Sequence, residues 1–285
     1  MAIVLDGIVF GLQLSLLAVG LTLIYGLGGV LNLAHGQLVV VAGIAGAVTI
    51  SAGAAIPVAV VLAVAAAAAL AWLLDATLLR PVYRLTGERR VLLSLLVTLG
   101  VAFLLDGILI TTHPFTALNL SVPGPAIDIL GVRMRSGSVV ASIIAVTALA
   151  AVLAFLRLSR FGRAVRSVIQ DEEGAALCGV NLPLTRTVVF VLSGVMAGLF
   201  AITQGLISSV GATSGLDFTI LALIVTVVGG LGRVSGALVA GLVLGIVHAV
   251  SSFYIGAFVT FVILLGVAML TILIRPTGIF GGGAR

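Results

Sequence analysis

The feature that most limits how this chain can fold is a succession of long apolar stretches separated by short polar or glycine-rich connections. They run from Ile3 to Tyr25, Leu38 to Ile50, Ile56 to Leu74, Val91 to Thr111, Val139 to Leu156, Thr187 to Ile207, Phe218 to Val228, Ala237 to Val250 and Tyr254 to Ile274. A helix that crosses the hydrocarbon core of a bilayer needs about 20 apolar residues. Most of these stretches approach that length. Only 8% of the 285 residues are charged, where a soluble domain carries about 25%. With a mean hydropathy of +1.39, the chain holds more apolar surface than one water-soluble core can hide. The expected fold is all-α: one polytopic membrane domain over residues 1–285, with about eight transmembrane helices. The stretches from Leu38 and Phe218 are short and read as broken or re-entrant helices. The first stretch lacks a basic leader and carries Asp6, so it is expected to be a retained helix rather than a signal peptide.

The 14 basic residues are all arginine. Without lysine there is no Walker A loop, whose lysine must reach the nucleotide phosphates, so ATP hydrolysis is expected in other chains. A net charge of +5 spread over short loops does not make a nucleic-acid groove. Positive charge gathers on cytoplasmic loops. Arg80, Arg84, Arg89 and Arg90 fall in one loop; Arg157, Arg160, Arg163, Arg166 and Arg186 flank or fill another; Arg233, Arg275 and Arg285 lie further on. Placing these inside leaves Arg133 and Arg135 outside, with the N-terminus outside and the C-terminus cytoplasmic. The outer connection from Thr112 to Ser138 contains Pro114, Pro123 and Pro125 and is expected to be ordered but non-helical. Cys178 is the sole cysteine, which excludes an internal disulfide and a multi-cysteine metal site.

Between the first two stretches lies Tyr25-Gly-Leu-Gly-Gly-Val-Leu-Asn-Leu-Ala-His-Gly-Gln37. In a bilayer, polar side chains and irregular backbone persist only where protein buries them or a cavity receives them. Asn32 and His35, three apart, would share a face if helical. Two roles fit them and Gln37: contact with whatever crosses the membrane, or support of a broken backbone, which asparagine serves well. Backbone support weighs slightly more. A lone histidine without carboxylate or cysteine neighbours is a poor metal site. Asp6 and Asp75 sit near span ends, within reach of interfacial water. Asp106 lies deeper and is the candidate buried acid, unless its helix ends near His113-Pro114. Gly7/Gly11, Gly194/Gly198 and Gly241/Gly245 have the spacing that lets helix backbones approach. Gly229-Gly-Leu-Gly-Arg-Val-Ser-Gly236 reads as a tight turn, and His248, near Ser251 and Ser252, as a packing residue.

Residues 157–186 form the longest polar interruption, with consecutive acids at Asp171, Glu172 and Glu173. Acids suit a helix's first turn, Ala175-Ala-Leu177 its body, and Gly179 and Pro183 its end. A short helix along the membrane face is expected, although composition alone would also suit a solvated loop.

Glu173-Gly-Ala-Ala-Leu-Cys-Gly179 resembles the EAA loop of ABC importer permeases. Gly20-Leu-Thr-Leu-Ile-Tyr-Gly26 and Val30-Leu-Asn-Leu-Ala-His-Gly36 resemble the N-terminal signature of LivH-type permeases of branched-chain amino-acid ABC importers. Gly174–Asn181, Ser193–Gly198, Val228–Ala237 and Arg275–Gly281 follow in the same order. The resemblance implies a passive half of a translocation pathway, without a cofactor and driven from outside. Its partners would be a second permease subunit (LivM-like or another copy), two ATP-binding subunits, an extracytoplasmic binding protein and membrane lipid. Asp171, Glu173, Gly174 and Gly179 would form the helix that couples to the ATPase. Two positions depart from the pattern: Gly174 replaces the usual first alanine, and Gln37 stands where an acid is common. Related permeases serve urea and short amides, so substrate is the open point. A secondary transporter would need more intramembrane carboxylates than Asp106. An intramembrane serine protease would need Ser214 and His248 to pair.

Overall fold

The computed structural model describes residues 1–121, 125–129, 131–275 and 278–279. Pro123, Arg285 and Pro276, Thr277, Phe280 and Gly281 of the C-terminal motif lie outside the described residues. In chain order the helices are α1 (Ala2–Gly28), α2 (His35–Ser51), α3 (Ile56–Leu74), α4 (Arg80–Val82), α5 (Gly87–Thr112), α6 (Ser136–Leu158), α7 (Arg160–Gln170), α8 (Glu172–Leu177), α9 (Leu182–Gly205), α10 (Gly215–Gly229), α11 (Val234–Tyr254) and α12 (Ala257–Ile274). A wide turn at Asp75–Leu79 carries α3 into α4 without a break. Eight helical segments are long and apolar enough to cross a membrane; α2, with 17 residues, is shorter. α10 reaches crossing length only together with the tight turn Ala212–Ser214 before it.

α1 is the central helix: 83% of its apolar window is buried, against 22% for the windows of α3, α5, α11 and α12. Glycines let its neighbours close on it. A Cβ on Gly245 would lie 2.3 Å from the Gly11 Cα, and one on Gly7 would lie 2.8 Å from the Ile246 Cα. The α3–α9 seam uses the same device. Ala59, Ala63, Ala67 and Ala71 recur every fourth residue on the buried stripe of α3, and Gly194 and Gly198 lie against it. The glycine pairs are therefore packing surfaces, as their spacing predicts. Dispersion between closely approaching backbones is what holds helices together when lipid is as apolar as the side chains.

Several expectations need correction. Asn32 is not helical. α1 ends at Gly28, Gly29 takes the left-handed conformation (φ 58°), and α2 begins at His35, so Asn32 and His35 do not share a helix face. Arg80, Arg89 and Arg90 lie in helices, because α3 continues through α4 and α5 starts a turn earlier than Val91. Residues 157–186 are mostly helical. The 11-residue α7 buries Gly162, Val165 and Val168 and exposes Arg160, Arg163 and Arg166. Its three-residue apolar period was hidden among arginines. Pro183 opens α9, behind the Asn181 cap, rather than ending α8. Among the described residues the connection between α5 and α6 is non-helical, as expected, and contains the β1 (Ala117–Leu118), β2 (Ile127–Ile129) and β3 (Val132–Met134) strands. β2 pairs with β3, and β1 pairs antiparallel with β4 (Val210–Gly211).

Gly245→Val should overpack the α1–α11 seam and lower stability by about 1–3 kcal/mol. Thermal unfolding of the purified chain in detergent reads this, with Gly266→Val as the control because nothing lies within 4 Å of a Cβ there.

Candidate functional site

The break between α1 and α2 brings the polar residues of the opening motif together. Six residues, 29–34, leave the helical path, and their amides and carbonyls need partners. Hydroxyls on neighbouring helices supply them. The Leu31 amide donates to Ser94 Oγ (3.3 Å) and the Leu33 amide to Thr98 Oγ1 (3.0 Å), both on α5. The Gly36 amide donates to Thr219 Oγ1 of α10 (2.9 Å). Thr98 Oγ1 also lies 3.2 Å from the Leu31 carbonyl, and Thr219 Oγ1 lies 3.2 Å from that of Leu33. Asn32 acts on its own backbone: Oδ1 accepts from the Ala34 amide at 3.0 Å, and its carbonyl accepts from the His35 amide at 3.3 Å. Its Nδ2 is buried with no hydrogen-bond partner among the described residues.

His35 is wholly buried. Nε2 lies 3.0 Å from the Leu17 carbonyl, which can only accept, so the ring proton belongs on Nε2. Nδ1 then accepts from Ser193 Oγ at 3.4 Å. Both ring nitrogens are engaged inside the bundle, which leaves none for a metal. Gly20 makes room for the ring: a Cβ there would sit 3.1 Å from His35 Cε1. Gln37, two residues on, donates from Nε2 to Asp106 Oδ1 of α5 at 3.3 Å. Its Oε1 is buried without a partner among the described residues. Asp106 is half-buried, and α5 continues past it to Thr112. Gln37 and Asp106, read separately in the sequence, form one polar pair.

Gly36 is fixed by sterics. A Cβ on it would meet the Gly215 carbonyl oxygen at 1.9 Å, so the starts of α2 and α10 touch backbone to backbone. Both short helices thus begin at one place.

A second polar cluster joins the loop helices to the bundle. Asp171 caps α8, its Oδ1 accepting from the Glu173 and Gly174 amides at 3.1 and 3.0 Å. A Cβ on Gly174 would lie 2.5 Å from Asp171 Oδ2, so a larger residue there would make the capping carboxylate shift. Gly179 closes α8 at φ 83°, a conformation few other residues adopt. Glu173 is exposed, and Leu177 is 91% exposed. Glu172, which sequence reading passed over, turns inward. It pairs with Arg90 of α5 at 2.9 Å and with Arg186 of α9. Arg90 also donates to the carbonyls of Leu85 (2.6 Å), Tyr83 (3.2 Å) and Gly28 (3.2 Å), the last residue of α1. The Arg186 guanidinium stacks 4.2 Å over the Tyr83 ring. Asp75 is 1% exposed and accepts from Thr187 Oγ1 (2.6 Å) and Tyr83 Oη (3.2 Å), so it does not reach interfacial water as its position suggested. The visible signal for the break's partners was Ser94 and Thr98 four apart in an apolar stretch; Glu172 stands among acids, six residues from Arg166.

Among the described residues no cluster of metal-ligating side chains occurs. No hydrogen bond joins Ser214 to His248, whose ring instead stacks on Phe10 at 4.3 Å.

A bundle of crossing-length apolar helices around a hydroxyl-supported helix break, with a capped helix docked on one side, defines a multi-pass membrane permease. The chain belongs to the family described as the permease component of branched-chain amino acid transport systems, whose pattern matches residues 3–273. It is 27% identical to the Escherichia coli K12 high-affinity branched-chain amino acid transport permease LivH, over 97% of this chain and 94% of that protein. It is 28% identical to the corresponding BraD of Pseudomonas aeruginosa, with the same coverage. A chain of the solved PsaBC from Streptococcus pneumoniae in complex with Fab shares the fold, at a TM-score of 0.52 and 14% identity, covering 97% of this chain and 93% of that one.

Thr98→Val should leave the Leu33 amide unpaired and cost about 1–3 kcal/mol, whereas Thr98→Ser should keep most of the stability; thermal unfolding separates the two. Glu172 gives a pH test. Partial burial pushes its carboxyl up, but the Arg90 hydrogen bond and the Arg186 and Arg90 charges outweigh this and hold it below the usual glutamate range. A depressed folded value means that docking of α8 is fully held above the unfolded glutamate pKa and lost as pH falls through the folded one. Protection of the 172–177 amides, measured against intrinsic exchange at each pH, should therefore fall on acidification below the ordinary glutamate value. Glu172→Gln should exchange fast throughout, with that pH dependence flattened.

Proposed function

We propose that this chain is one transmembrane half of an ATP-driven importer in a bacterial inner membrane, conducting branched-chain amino acids. The observation that carries the reading is the family match along residues 3–273, joined to a capped α8 that exposes Glu173 and Leu177 while Glu172 ties it to the bundle. The single permease domain spans 1–285, with its coupling segment at about 157–186. The arginine distribution supports a cytoplasmic C-terminus. Two ATP-binding subunits would engage α8 through Asp171, Glu173, Gly174 and Gly179. An extracytoplasmic binding protein would deliver substrate on the other side.

The face of α5 supports a second permease subunit beside this one. α5 buries only Ser94, Thr98 and Ala102 of its 26 residues, and Asp106 remains half-exposed. A carboxylate does not face lipid without water or a partner. A pathway between two such halves would wet Asp106 and Gln37, while Asn32 and His35 hold the break open behind them. The drive would run from ATPase to α8, through Glu172 to Arg90, and from Arg90 to the Gly28 carbonyl beside the break. No bond is made or broken in this chain; ATP chemistry belongs to the partners.

The test is reconstitution with the partner subunits and binding protein in vesicles. Glu173→Arg and Gly179→Val should lower co-purification with the ATPase and reduce ATP-driven leucine uptake at least tenfold. Uptake that survives both changes removes the coupling role of α8. Uptake of urea but not leucine, by the same assembly, reassigns the substrate and leaves the coupling role intact.

A further inference from the structure

Far from the break, at the other end of α1, lies a second polar site. Asp6, Val9, Phe10 and Gln13 follow at three- and four-residue spacing, so they share one face of α1. That face borders a cavity of about 450 Å³, within the range of small-ligand pockets, about 300–1,000 Å³. Gln13 is 1% exposed, and neither its Nε2 nor its Oε1 has a hydrogen-bond partner among the described residues. An unpaired amide in an apolar helix costs about 1–3 kcal/mol, and this one belongs to a residue that lines a space large enough for a guest. His248 of α11 also lines the cavity and stacks on Phe10. At the mouth, Asp6 and Arg135 are exposed side chains of opposite charge lining the same cavity, and they form no ion pair with each other. Phe10 and Ile207 give it apolar wall.

We propose that this cavity is a second ligand site, for a small zwitterion with an apolar tail. The ammonium goes to Asp6, the oxyanion to Arg135, and Gln13 completes whichever end reaches inward. Separated opposite charges select against simple anions and cations, and the apolar wall selects against small polar zwitterions. A free aliphatic amino acid and the headgroup of phosphatidylethanolamine both present this chemistry. Gln13 lies 15 residues before Gly28, roughly 22 Å along a helix axis, so the site shares no residue with the break. The proposal stands whether or not the importer reading holds.

The full-length chain, purified in detergent free of phosphatidylethanolamine, is titrated with L-leucine while thermal unfolding is followed. In parallel it is placed in nanodiscs of phosphatidylethanolamine or of phosphatidylglycerol. Gln13→Leu and Asp6→Asn are compared with the unaltered chain. Without ligand, Gln13→Leu should unfold no lower than the unaltered chain, because it removes the orphaned amide. Asp6 is exposed, so its variant should fold as well. A stabilising shift that both variants weaken at least tenfold in apparent affinity supports the site. If leucine gives the shift in lipid-free detergent, the ligand is the free amino acid. If only phosphatidylethanolamine gives it, the ligand is the headgroup. No shift from either compound, or a shift that either variant leaves unchanged, overturns the proposal.

Discussion

The rest of the structure depends on a supply of hydroxyls to six residues of non-helical backbone. A bilayer offers no hydrogen bonds, so a helix break within a membrane bundle survives only where neighbours satisfy it. Ser94, Thr98 and Thr219 do this from two different helices. Their contribution is more than local. To bring Thr219 to the Gly36 amide, α10 must start against α2, and only glycine at 36 allows that approach. To bring Ser94 and Thr98 to Leu31 and Leu33, α5 must stand beside the break with its small-residue stripe inward. The positions of three helices therefore follow from one chain segment that could not pair with itself.

The same logic explains why His35 is where it is. A histidine wholly buried among apolar helices requires both ring nitrogens to be placed. The Leu17 carbonyl and Ser193 hydroxyl place them on two more helices, α1 and α9. Asn32 satisfies the chain one residue at a time, while His35 ties the start of α2 to the middle of α1. Gln37 differs from both. Its donor meets Asp106, its acceptor meets nothing among the described residues, and its partner is half-exposed. Of the three motif residues, it is the one whose side chain leads out of the packed interior.

Much of this was legible in the sequence, and for identifiable reasons. Apolar length alone gives the spans, because the bilayer fixes a minimum that chance rarely meets. Glycines four apart mark the α1–α11 and α3–α9 seams, because close backbone approach tolerates no side chain. The short stretches from Leu38 and Phe218 fall on the helices that begin at the break. What could not be read is which polar residues meet across helices. Thr98 and Thr219 look like any threonine in an apolar run, and only the folded bundle shows that each sits opposite an unpaired amide. Glu172 illustrates the same limit. Its neighbours Asp171 and Glu173 are equally acidic, and a rotation along α8 decides which carboxylate caps, which points out and which turns inward. The six residues of α8 carry too little apolar pattern to set that rotation, so tertiary pairing with Arg90 and Arg186 sets it.

Arg90 turns two separate features into one mechanical unit. Its guanidinium contacts the last carbonyl of α1 and the first residue of α8 at once, and it is mostly buried between them, with 13% of its side chain exposed. The planar, five-donor head makes such bridging feasible where a lysine could not serve four acceptors. An ion pair at this depth is less screened than one at the surface, but removing one partner strands a charge that must be rehydrated. If α8 couples to the ATPase as proposed, this bridge would pass a displacement of α8 on to the bundle. A force drawing α8 outward would then act on the end of α1, where the helix stops and the backbone is held by borrowed hydroxyls and by Asn32. A continuous helix would spread such a displacement over many turns, whereas the break would confine it to the residues beside Gln37 and Asp106.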